Sequence, residues 1–259
     1  EEEPEGNYLE FYKILGIGEE QLIHIEKPAR FQKVFVPEAG FRPCIWYTEE
    51  YQRMFDQMTE SVLKDKTLKE NFKNIKKIYF SRRKFGKAAA TEFGEEYIEQ
   101  CFNQNGYESL GPETLTLREQ IYVWNHAEAI ACMNGTIPLN VVFCKNEELK
   151  LTILNKMSIY HKNPYIYLYM RNIQAEFIDI YKEPLKGYPK SLGEGPYLIK
   201  EGKEFFDYCQ REKFEIPYTG MKLKFYDLKQ EIRYYLCVIG IRNKIRRVGL
   251  YIKRKMLRR

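Results

Sequence analysis

Apolar residues recur along this chain at two different periods, and the period predicts the local structure. A helical period covers residues 49–63, where apolar side chains are spaced four, three and four residues apart. These side chains are Tyr51, Phe55, Met58 and Val62. Before this helix, the short apolar runs at 22–25 and 34–36 lie between glycines and prolines, which predicts strands joined by turns. The basic, polar stretch 64–77 predicts a boundary between two lobes.

From residue 76 onward, short apolar runs alternate with helical patterns. This alternation is typical of parallel strands joined by crossover helices. The predicted strands are 76–81, 107–110, 129–133 and 149–154. Three helices are predicted between these strands. The first begins near Thr91 and ends at Asn105-Gly106. The second begins at the capping box of Thr116 and Glu119, and the third begins near Pro138.

The last third of the chain is predicted to be mainly helical. Residues 165–181 are rich in aromatic side chains and are ambiguous between strand and helix. A loop is predicted at 187–195, a helix at 200–214, and mostly helix from Leu223 to the end. Together the patterns predict an α/β fold built on a Rossmann-type parallel sheet.

The net charge of +6 comes from one end of the chain. Residues 242–259 contain nine Lys or Arg residues and no acidic residue, which leaves a net charge of −3 for the other 241 residues. A body that binds nucleic acid is expected to be positive itself, which argues against that class. With 44% apolar and 30% charged residues, a disordered chain and a membrane-spanning bundle are poorly supported as well.

The start of the chain, its longest apolar runs and its cysteines and histidines exclude further classes of protein. No apolar run reaches the roughly 20 residues that span a bilayer, and the acidic start at 1–5 is unlike a secretory signal. Because residue 1 is not Met, we expect a processed or truncated chain. The six cysteines form no CxxC pair, which predicts reduced core thiols of a cytosolic protein, and the three scattered histidines predict no zinc site.

Two loops follow predicted strands and carry residues suited to an anionic ligand. The first loop is Ser81-Arg82-Arg83-Lys84, and the second is Asn134-Gly135-Thr136, which enters the helix predicted near Pro138. Ligands of open parallel sheets bind where strands end, and a helix start offers free backbone N–H groups to a phosphate. We therefore predict that both loops lie at one edge of the sheet and bind a diphosphate.

Each of these residues also has a purely structural interpretation. The basic loop is compatible with a solvated surface, and Asn134-Gly135-Thr136 is a common turn. Acidic residues in the first turn of a helix, such as Glu95 and Glu96, are often surface groups that the helix dipole favours. Gln120 is compatible with an amide on a helix surface.

An ordered set of motifs between residues 76 and 145 carries a family resemblance. Its members are Ile78-Tyr79-Phe80-Ser81-Arg82, Gly94-Glu95-Glu96, Gly106-Tyr107, Pro112-Glu113, Leu115, Leu117, Gln120, Ala127, Asn134-Gly135-Thr136 and Asn140-Val141-Val142-Phe143. In order and spacing this set resembles the family 61 glycosyltransferases, in particular the type of bacterial capsular-polysaccharide biosynthesis. The segments 31–37 and 47–55 are similar as well.

The resemblance implies a GT-B-like enzyme that uses a nucleotide sugar, inverts the anomeric centre and needs no metal. It implies a partial N-terminal acceptor-side lobe at 1–70, as expected if the chain is truncated, and a nucleotide-sugar-binding lobe at 71–185, and the residue pattern adds a helical, basic C-terminal segment at 186–259. The donor-binding residues that follow from the loops and the resemblance are Ser81, Arg82, Arg83, Glu95, Gln120, Asn134, Gly135, Thr136 and Asn140. The catalytic base has no counterpart in the chain and stays unassigned.

The aspartates agree with the absence of a metal cofactor. All five are isolated in the sequence, so the chain has no DxD motif of the kind that holds a divalent ion against a sugar nucleotide. Charge on the departing diphosphate would then be met by Arg side chains and backbone donors.

The basic C-terminus predicts a membrane-surface helix. Apolar residues recur there at spacings of four, three, four and four, between cationic residues that suit an anionic lipid surface. The predicted lipid-facing cations are Arg242, Lys244, Arg246, Arg247, Lys253, Arg254 and Lys255. The alternative is a packed terminal helix with a solvated basic end.

Taken together, the sequence predicts a cytoplasmic glycosyltransferase bound peripherally to the inner face of the cell membrane. It would transfer a sugar from a nucleotide-diphosphate donor to a surface polysaccharide or lipid-linked saccharide, with no metal, no cofactor and no nucleic-acid partner. One alternative is a non-catalytic scaffold of the same fold. The other is a nucleic-acid-binding module that uses the basic tail and the 21 tyrosines.

Overall fold

The structure, a computed structural model, describes residues 7–159, 161–182 and 195–238. The predicted tail at 239–259 and most of the predicted loop at 187–195 lie outside the described residues. The α-helices within the described part are α1 (Asn7–Ile14), α2 (Glu49–Leu63), α3 (Lys66–Phe72), α4 (Gly86–Thr91), α5 (Glu95–Gln104), α6 (Leu117–His126), α7 (Asn163–Arg171), α8 (Lys203–Arg211) and α9 (Gly220–Val238). Short 3-10 helices cover Glu19–Gln21, Pro112–Thr114 and Ile137–Phe143.

The strands form one larger sheet and two short pairs. They are β1 (Phe41–Arg42), β2 (Trp46–Tyr47), β3 (Lys77–Phe80), β4 (Glu92–Phe93), β5 (Glu108–Leu110), β6 (Ala129–Met133), β7 (Lys150–Asn155), β8 (Ala175–Asp179) and β9 (Tyr197–Leu198). The five-stranded sheet has the order β5-β3-β6-β7-β8, while β1 pairs with β2 and β4 with β9. The neighbours β3 and β6 run parallel, with Phe80 opposite Cys132, so the predicted α/β class with a parallel sheet is confirmed.

Burial explains why the central strands form. All five residues of β6 are buried, and so are three of the four residues of β3, which is typical of parallel strands covered on both faces. The ring of Trp124 on α6 stacks against Phe80 at 5.8 Å between ring centroids, and both side chains are 1% exposed or less. The core of the sheet is therefore made of the apolar runs that the sequence marks as strands.

Two predicted helices have the predicted ends. Helix α2 covers 49–63, and the hydroxyl of Thr48 accepts the N–H of Tyr51 at its start. At α6, the Thr116 hydroxyl accepts the N–H of Glu119, and the Glu119 carboxylate accepts the N–H of Thr116. This reciprocal pair is the predicted capping box.

The predicted strands at 22–25 and 34–36 are wrong. Apart from the 3-10 helix that ends at Gln21, residues 18–40 contain no helix or strand. Ile23 is 77% exposed and Val36 is 84% exposed. A short apolar run forms a strand only where a neighbouring strand accepts its hydrogen bonds, and the prolines at 28 and 37 limit such pairing here.

Three other predictions need correction or refinement. The helix predicted from near Thr91 begins at Glu95, because residues 92–93 form β4 instead. The helix predicted near Pro138 is a 3-10 helix with i to i+3 hydrogen bonds, such as the 3.1 Å bond from the N–H of Leu139 to the carbonyl of Thr136. The ambiguous segment 165–181 contains both α7 and β8, and the polar stretch 64–77 contains α3.

By internal packing, the chain divides into two compact units. The first contains the described residues up to Phe80 together with Pro112–Ile153 and His161–Glu176. The second contains Ser81–Gly111, residues 154–159 and the described residues from Phe177 onward. The lobe boundaries inferred from the sequence stay a prediction.

The second unit is organised around the short strand pair β4–β9 and the long helix α9. Phe93 of β4, Leu198 of β9 and Tyr234 of α9 form one buried cluster. The backbone turns from β4 directly into α5 at Gly94, which has φ 108°. A Cβ atom at Gly94 would lie 2.0 Å from the carbonyl oxygen of Ile199, so only glycine fits this junction.

Two further observations concern the state of the cysteines and the character of the described helices. All six cysteines are free thiols, and Cys101, Cys132, Cys144 and Cys209 are buried. In the part of the chain that the structure describes, no helix has both the length and the apolar character needed to cross a membrane.

The Gly94 junction gives a first testable prediction. Gly94→Ala should lower the free energy of unfolding by roughly 3 kcal/mol, because the new methyl group meets the Ile199 carbonyl and φ is positive. The matched control is Gly106→Ala, which has φ 83° but no atom within 4 Å of the new Cβ. We expect that control to lose only about 1 kcal/mol, for backbone conformation alone. Urea unfolding measures both losses, and equal losses would refute a steric role of Ile199.

A buried carboxyl predicts a pH dependence of stability. Burial, and next the neighbouring Asp227, raise the pKa of Glu201 to about 7. A carboxyl that is protonated in the folded state stabilises the fold at low pH, and this contribution is lost as the pH rises through about 7. The free energy of unfolding should therefore fall by about 3 kcal/mol between pH 4.5 and 8, and Glu201→Gln should remove most of that slope. Urea unfolding across this pH range measures the dependence. If the free energy of unfolding of Glu201→Gln falls with pH as steeply as that of the unmodified chain, the prediction is contradicted.

Candidate functional site

The loop after β3 is held by its own backbone and by the segment after β5. Ser81 is 7% exposed, and its N–H donates to the carbonyl of Leu110 at 2.9 Å. The Ser81 hydroxyl accepts the N–H of Arg83 at 3.3 Å. These bonds fix the direction in which the basic side chains of the loop leave the backbone.

A buried carboxylate binds two cations beside this loop. Arg82 Nε lies 3.2 Å from one oxygen of Glu92, and a terminal nitrogen lies 3.1 Å from the other. Lys156 Nζ lies 2.7 Å from the same carboxylate, and the side chains of Lys156 and Glu92 are each 3% exposed. Burial lowers the pKa of Lys156, and Glu92 opposes this shift. The Arg82 guanidinium is thus part of a compact internal charge cluster.

Glu95 also serves the loop. It is 3% exposed, and its carboxylate accepts the backbone N–H of Arg82 at 2.8 Å. The interpretation of Glu95 as a surface acid is therefore wrong. Strand β4 and Gly94 direct the first turn of α5 toward the interior, so that the Glu95 side chain is buried.

Arg83 points in a different direction from Arg82. It donates to Glu99 at 2.5 Å and lies 3.5 Å from a carboxylate oxygen of Glu96. Its side chain is 43% exposed. Unlike Arg82, it remains accessible to a ligand.

Two cavities within the second unit share Arg83. The first, which we call the basic cavity, has a volume of about 240 Å³. It is lined by Ser81, Arg83, Lys84, Glu99, Ser109 and Gly111. The second, which we call the acidic cavity, has a volume of about 200 Å³. It is lined by Arg83, Ala88, Glu92, Gly94, Glu95, Glu96, Tyr226, Gln230 and Arg233.

The two cavities differ in charge. In the basic cavity two cations face one carboxylate, and Lys84 makes no ion pair with any residue that the structure describes. In the acidic cavity three carboxylates face two guanidinium groups. The basic cavity therefore suits an anion, whereas the acidic one disfavours it.

Gln120 and Asn140 are hydrogen-bonded to each other, and Gln120 is also hydrogen-bonded to two backbone carbonyls. The Asn140 amide donates to Gln120 Oε1 at 2.7 Å, and Gln120 Nε2 lies 3.1 Å from the carbonyls of Pro112 and Leu115. Gln120 is 7% exposed, so the interpretation as a surface amide is wrong. Both side chains brace the turn before α6 and the 3-10 helix after β6.

The second predicted loop follows β6. Because β3 and β6 are parallel neighbours, their carboxyl ends lie at the same edge of the sheet, and Asn134 comes directly after Met133. Asn134 is 1% exposed, whereas Thr136 is exposed. A Cβ atom on Gly135 would meet no atom within 4 Å. The seven-residue 3-10 helix that follows lacks the α-helical start assumed for phosphate binding.

The sequence patterns missed residues of the charge cluster and of the acidic cavity. Lys156 directly follows β7, so the rule that selected the residues after β3 and β6 would also have found it. Gln230 and Arg233 lie on α9, more than 120 residues from Glu96, and no local pattern connects them. Among the described residues, no group of three or more His, Cys, Asp and Glu side chains is placed to hold a metal ion.

The charge cluster gives a stability prediction. Glu92→Gln should lower the free energy of unfolding by about 3–5 kcal/mol, because it leaves the Lys156 charge buried without its counter-ion. Adding Lys156→Met should recover part of that loss, since the more deeply buried of the two cations is then removed and only the partly exposed Arg82 has lost its carboxylate. The matched control is Glu50→Gln, which breaks an exposed pair with Arg53 and should leave the free energy of unfolding nearly unchanged. Similar losses for the two single variants, measured by urea unfolding, would show that the cluster is not a buried ion pair in solution.

The family comparison covers the region that contains the predicted donor-site residues. The family model of glycosyltransferase 61 matches residues 24–155. That stretch is 132 residues long, just over half of the 259 residues of the chain. None of the curated proteins compared with the chain matches it. The family match confirms the resemblance at the level of the family, and the chain belongs to the glycosyltransferase 61 family and is a glycosyltransferase.

Proposed function

We propose that this glycosyltransferase uses a nucleoside-diphosphate sugar and binds the diphosphate in the basic cavity. The observation that carries the proposal is the lining of that cavity at the end of β3. Arg83 and Lys84 supply positive charge, and Ser81 and Ser109 supply hydroxyl groups. Charged donors and hydroxyls around one opening suit the oxygens of a diphosphate.

Lys84 is the residue on which the affinity for phosphate should depend most. It has no ion-pair partner among the described residues, so binding a phosphate would cost no existing ion pair. Arg83 is already neutralised in part by Glu99 and adds a planar donor at the cavity wall. Arg82 is engaged by Glu92, and in this proposal it holds the loop in position for its neighbours.

The proposed reaction inverts the anomeric centre without a metal ion. An acceptor hydroxyl loses its proton to a general base, which the sequence leaves unassigned, and its oxygen attacks the anomeric carbon in line as the bond between that carbon and the diphosphate oxygen breaks. The diphosphate keeps the electron pair, and its added charge is stabilised by Arg83 and Lys84. The isolated aspartates support metal independence, because a DxD pair is missing from the sequence.

The acceptor and the location are proposed from the sequence. The basic segment 242–259 suits an anionic membrane surface, which would place the enzyme peripherally on the inner face of the cell membrane. A lipid-linked saccharide or a growing surface polysaccharide of the bacterial capsular type would then be the acceptor. The GT-B-like arrangement of lobes belongs to the same proposal.

A thermal-shift panel with uridine, guanosine and thymidine diphosphates and their sugars tests the donor proposal. At least one nucleoside diphosphate should raise the melting temperature of the full chain equally in EDTA and in Mg²⁺. Lys84→Ala should weaken that binding by about tenfold to a hundredfold, because a charge-assisted hydrogen bond is lost. Lys69→Ala, an exposed lysine on α3, is the matched control and should bind as the unmodified chain does.

Two further variants test separately whether Gly135 and Arg82 bind the donor, as the sequence predicts. Gly135→Ala should leave stability unchanged, since the added methyl group meets no atom within 4 Å, and should weaken donor binding if the donor contacts that turn. Arg82→Ala tests the prediction from the sequence that Arg82 binds the donor. If no nucleotide binds, the donor proposal fails, and a strict need for Mg²⁺ would overturn metal independence. Salt-dependent nucleic-acid binding that disappears on deleting 242–259 would favour the alternative instead.

A further inference from the structure

The acidic cavity has walls that are held in place before any ligand binds. The hydroxyl of Tyr226 on α9 donates to the carbonyl of Gly94 at 3.0 Å and accepts the N–H of Tyr97 at 3.2 Å. These two bonds attach α9 to the first turn of α5, where Glu96 lies. The cavity between them is therefore a preorganised feature of the second unit.

One polar atom of this cavity, the amide nitrogen of Gln230, has no hydrogen-bond acceptor among the described residues. Gln230 is only 2% exposed and lines the cavity. Its oxygen accepts a hydrogen bond from Arg233 at 2.9 Å, but its amide nitrogen donates to no residue that the structure describes. Because this donor faces the cavity and is not used by a described residue, it is available to a ligand or water there.

Size and charge restrict what can bind there. A volume of about 200 Å³ holds roughly seven water molecules, which fits one sugar ring and is too small for a complete nucleotide sugar. The excess of carboxylates disfavours phosphate. Carboxylates, an amide and guanidinium groups are, however, good partners for the hydroxyl groups of a neutral sugar.

We propose that the acidic cavity binds the terminal sugar of the acceptor and that Glu96 is the catalytic base. This proposal rests on the proposed function, because it needs a donor diphosphate in the basic cavity. It departs from the acceptor-side lobe at 1–70 that the resemblance implies, because the acidic cavity belongs to the second unit. Arg83 lines both cavities, so the attacking hydroxyl and the departing diphosphate would both lie near its guanidinium group, with the anomeric carbon between them.

Glu96 is better suited to take the proton than the two other carboxylates of the cavity. Glu92 is neutralised by Arg82 and Lys156, and Glu95 accepts the N–H of Arg82. The side chain of Glu96 is 44% exposed, and Arg83 approaches it only to 3.5 Å. In the step, the acceptor O–H bond breaks, the proton moves to the Glu96 carboxylate, and the oxygen forms a bond to the anomeric carbon as the diphosphate leaves.

Saturation-transfer NMR with methyl hexopyranosides tests the sugar site in the full chain. At least one methyl glycoside should bind, and a saturating nucleoside diphosphate should not displace it. Gln230→Leu should weaken glycoside binding at least tenfold and leave nucleoside-diphosphate binding unchanged. Gln210→Leu, which changes an exposed glutamine on α8, is the matched control and should have no effect.

The kinetic test measures release of nucleoside diphosphate from the donor with the bound methyl glycoside as acceptor. Glu96→Gln should lower kcat by about a hundredfold or more, with the donor KM within twofold and the melting temperature unchanged. Glu96→Asp should recover part of kcat and retain the dependence of kcat on pH, which Glu96→Gln should abolish. Glu148→Gln, an exposed carboxylate before β7, is the matched control.

The outcomes distinguish this inference from the donor proposal. If a nucleoside diphosphate binds but no glycoside does, or if the two compete, the acidic cavity is not an acceptor site. If Glu96→Gln retains kcat within threefold, Glu96 is not the base. If nothing binds, including every nucleoside diphosphate, the donor proposal itself fails and the acceptor site fails with it.

Discussion

The arrangement of the second unit depends on one buried carboxylate. Glu92 neutralises Arg82 from the loop after β3 and Lys156 from the segment after β7, and its own strand β4 pairs with β9. The Glu92 and Lys156 side chains are almost completely buried, so the attraction between these charges is weakened little by solvent. Three chain segments distant in sequence are in this way held around one group.

Next to that carboxylate, a single glycine determines where α5 begins. A side chain at Gly94 would collide with the backbone of Ile199, so β4 and β9 can pair closely only because position 94 has none. The turn directs the first residues of α5 inward. Glu95 then binds the loop backbone, while Glu96 faces the cavity next to α9. Electrostatics and sterics at three consecutive positions thus determine the geometry of the site.

In the function that we propose, the division of charge around Arg83 would suit transfer between two different substrates. A donor that loses a diphosphate needs positive charge, and an acceptor hydroxyl that loses a proton needs a carboxylate. Ordinarily these groups would pair and cancel. Here Arg82 is engaged by Glu92, Lys84 makes no ion pair with a described residue, and Glu96, which lies in the other cavity, is approached by Arg83 only to 3.5 Å.

The sequence by itself determined the local elements and the family. Helix α2, the capping box of α6 and the strand β6 follow from patterns within about fifteen residues, because caps and periodic apolar faces are local properties. The tertiary structure alone decided the rest. The runs at 22–25 and 34–36 have the composition of strands but no partner strand, and Glu95 and Gln120 look like surface residues until packing buries them. The acidic cavity combines residues 83–96 with residues 226–233, and a contact across such a distance in sequence leaves no periodic signal in a single chain.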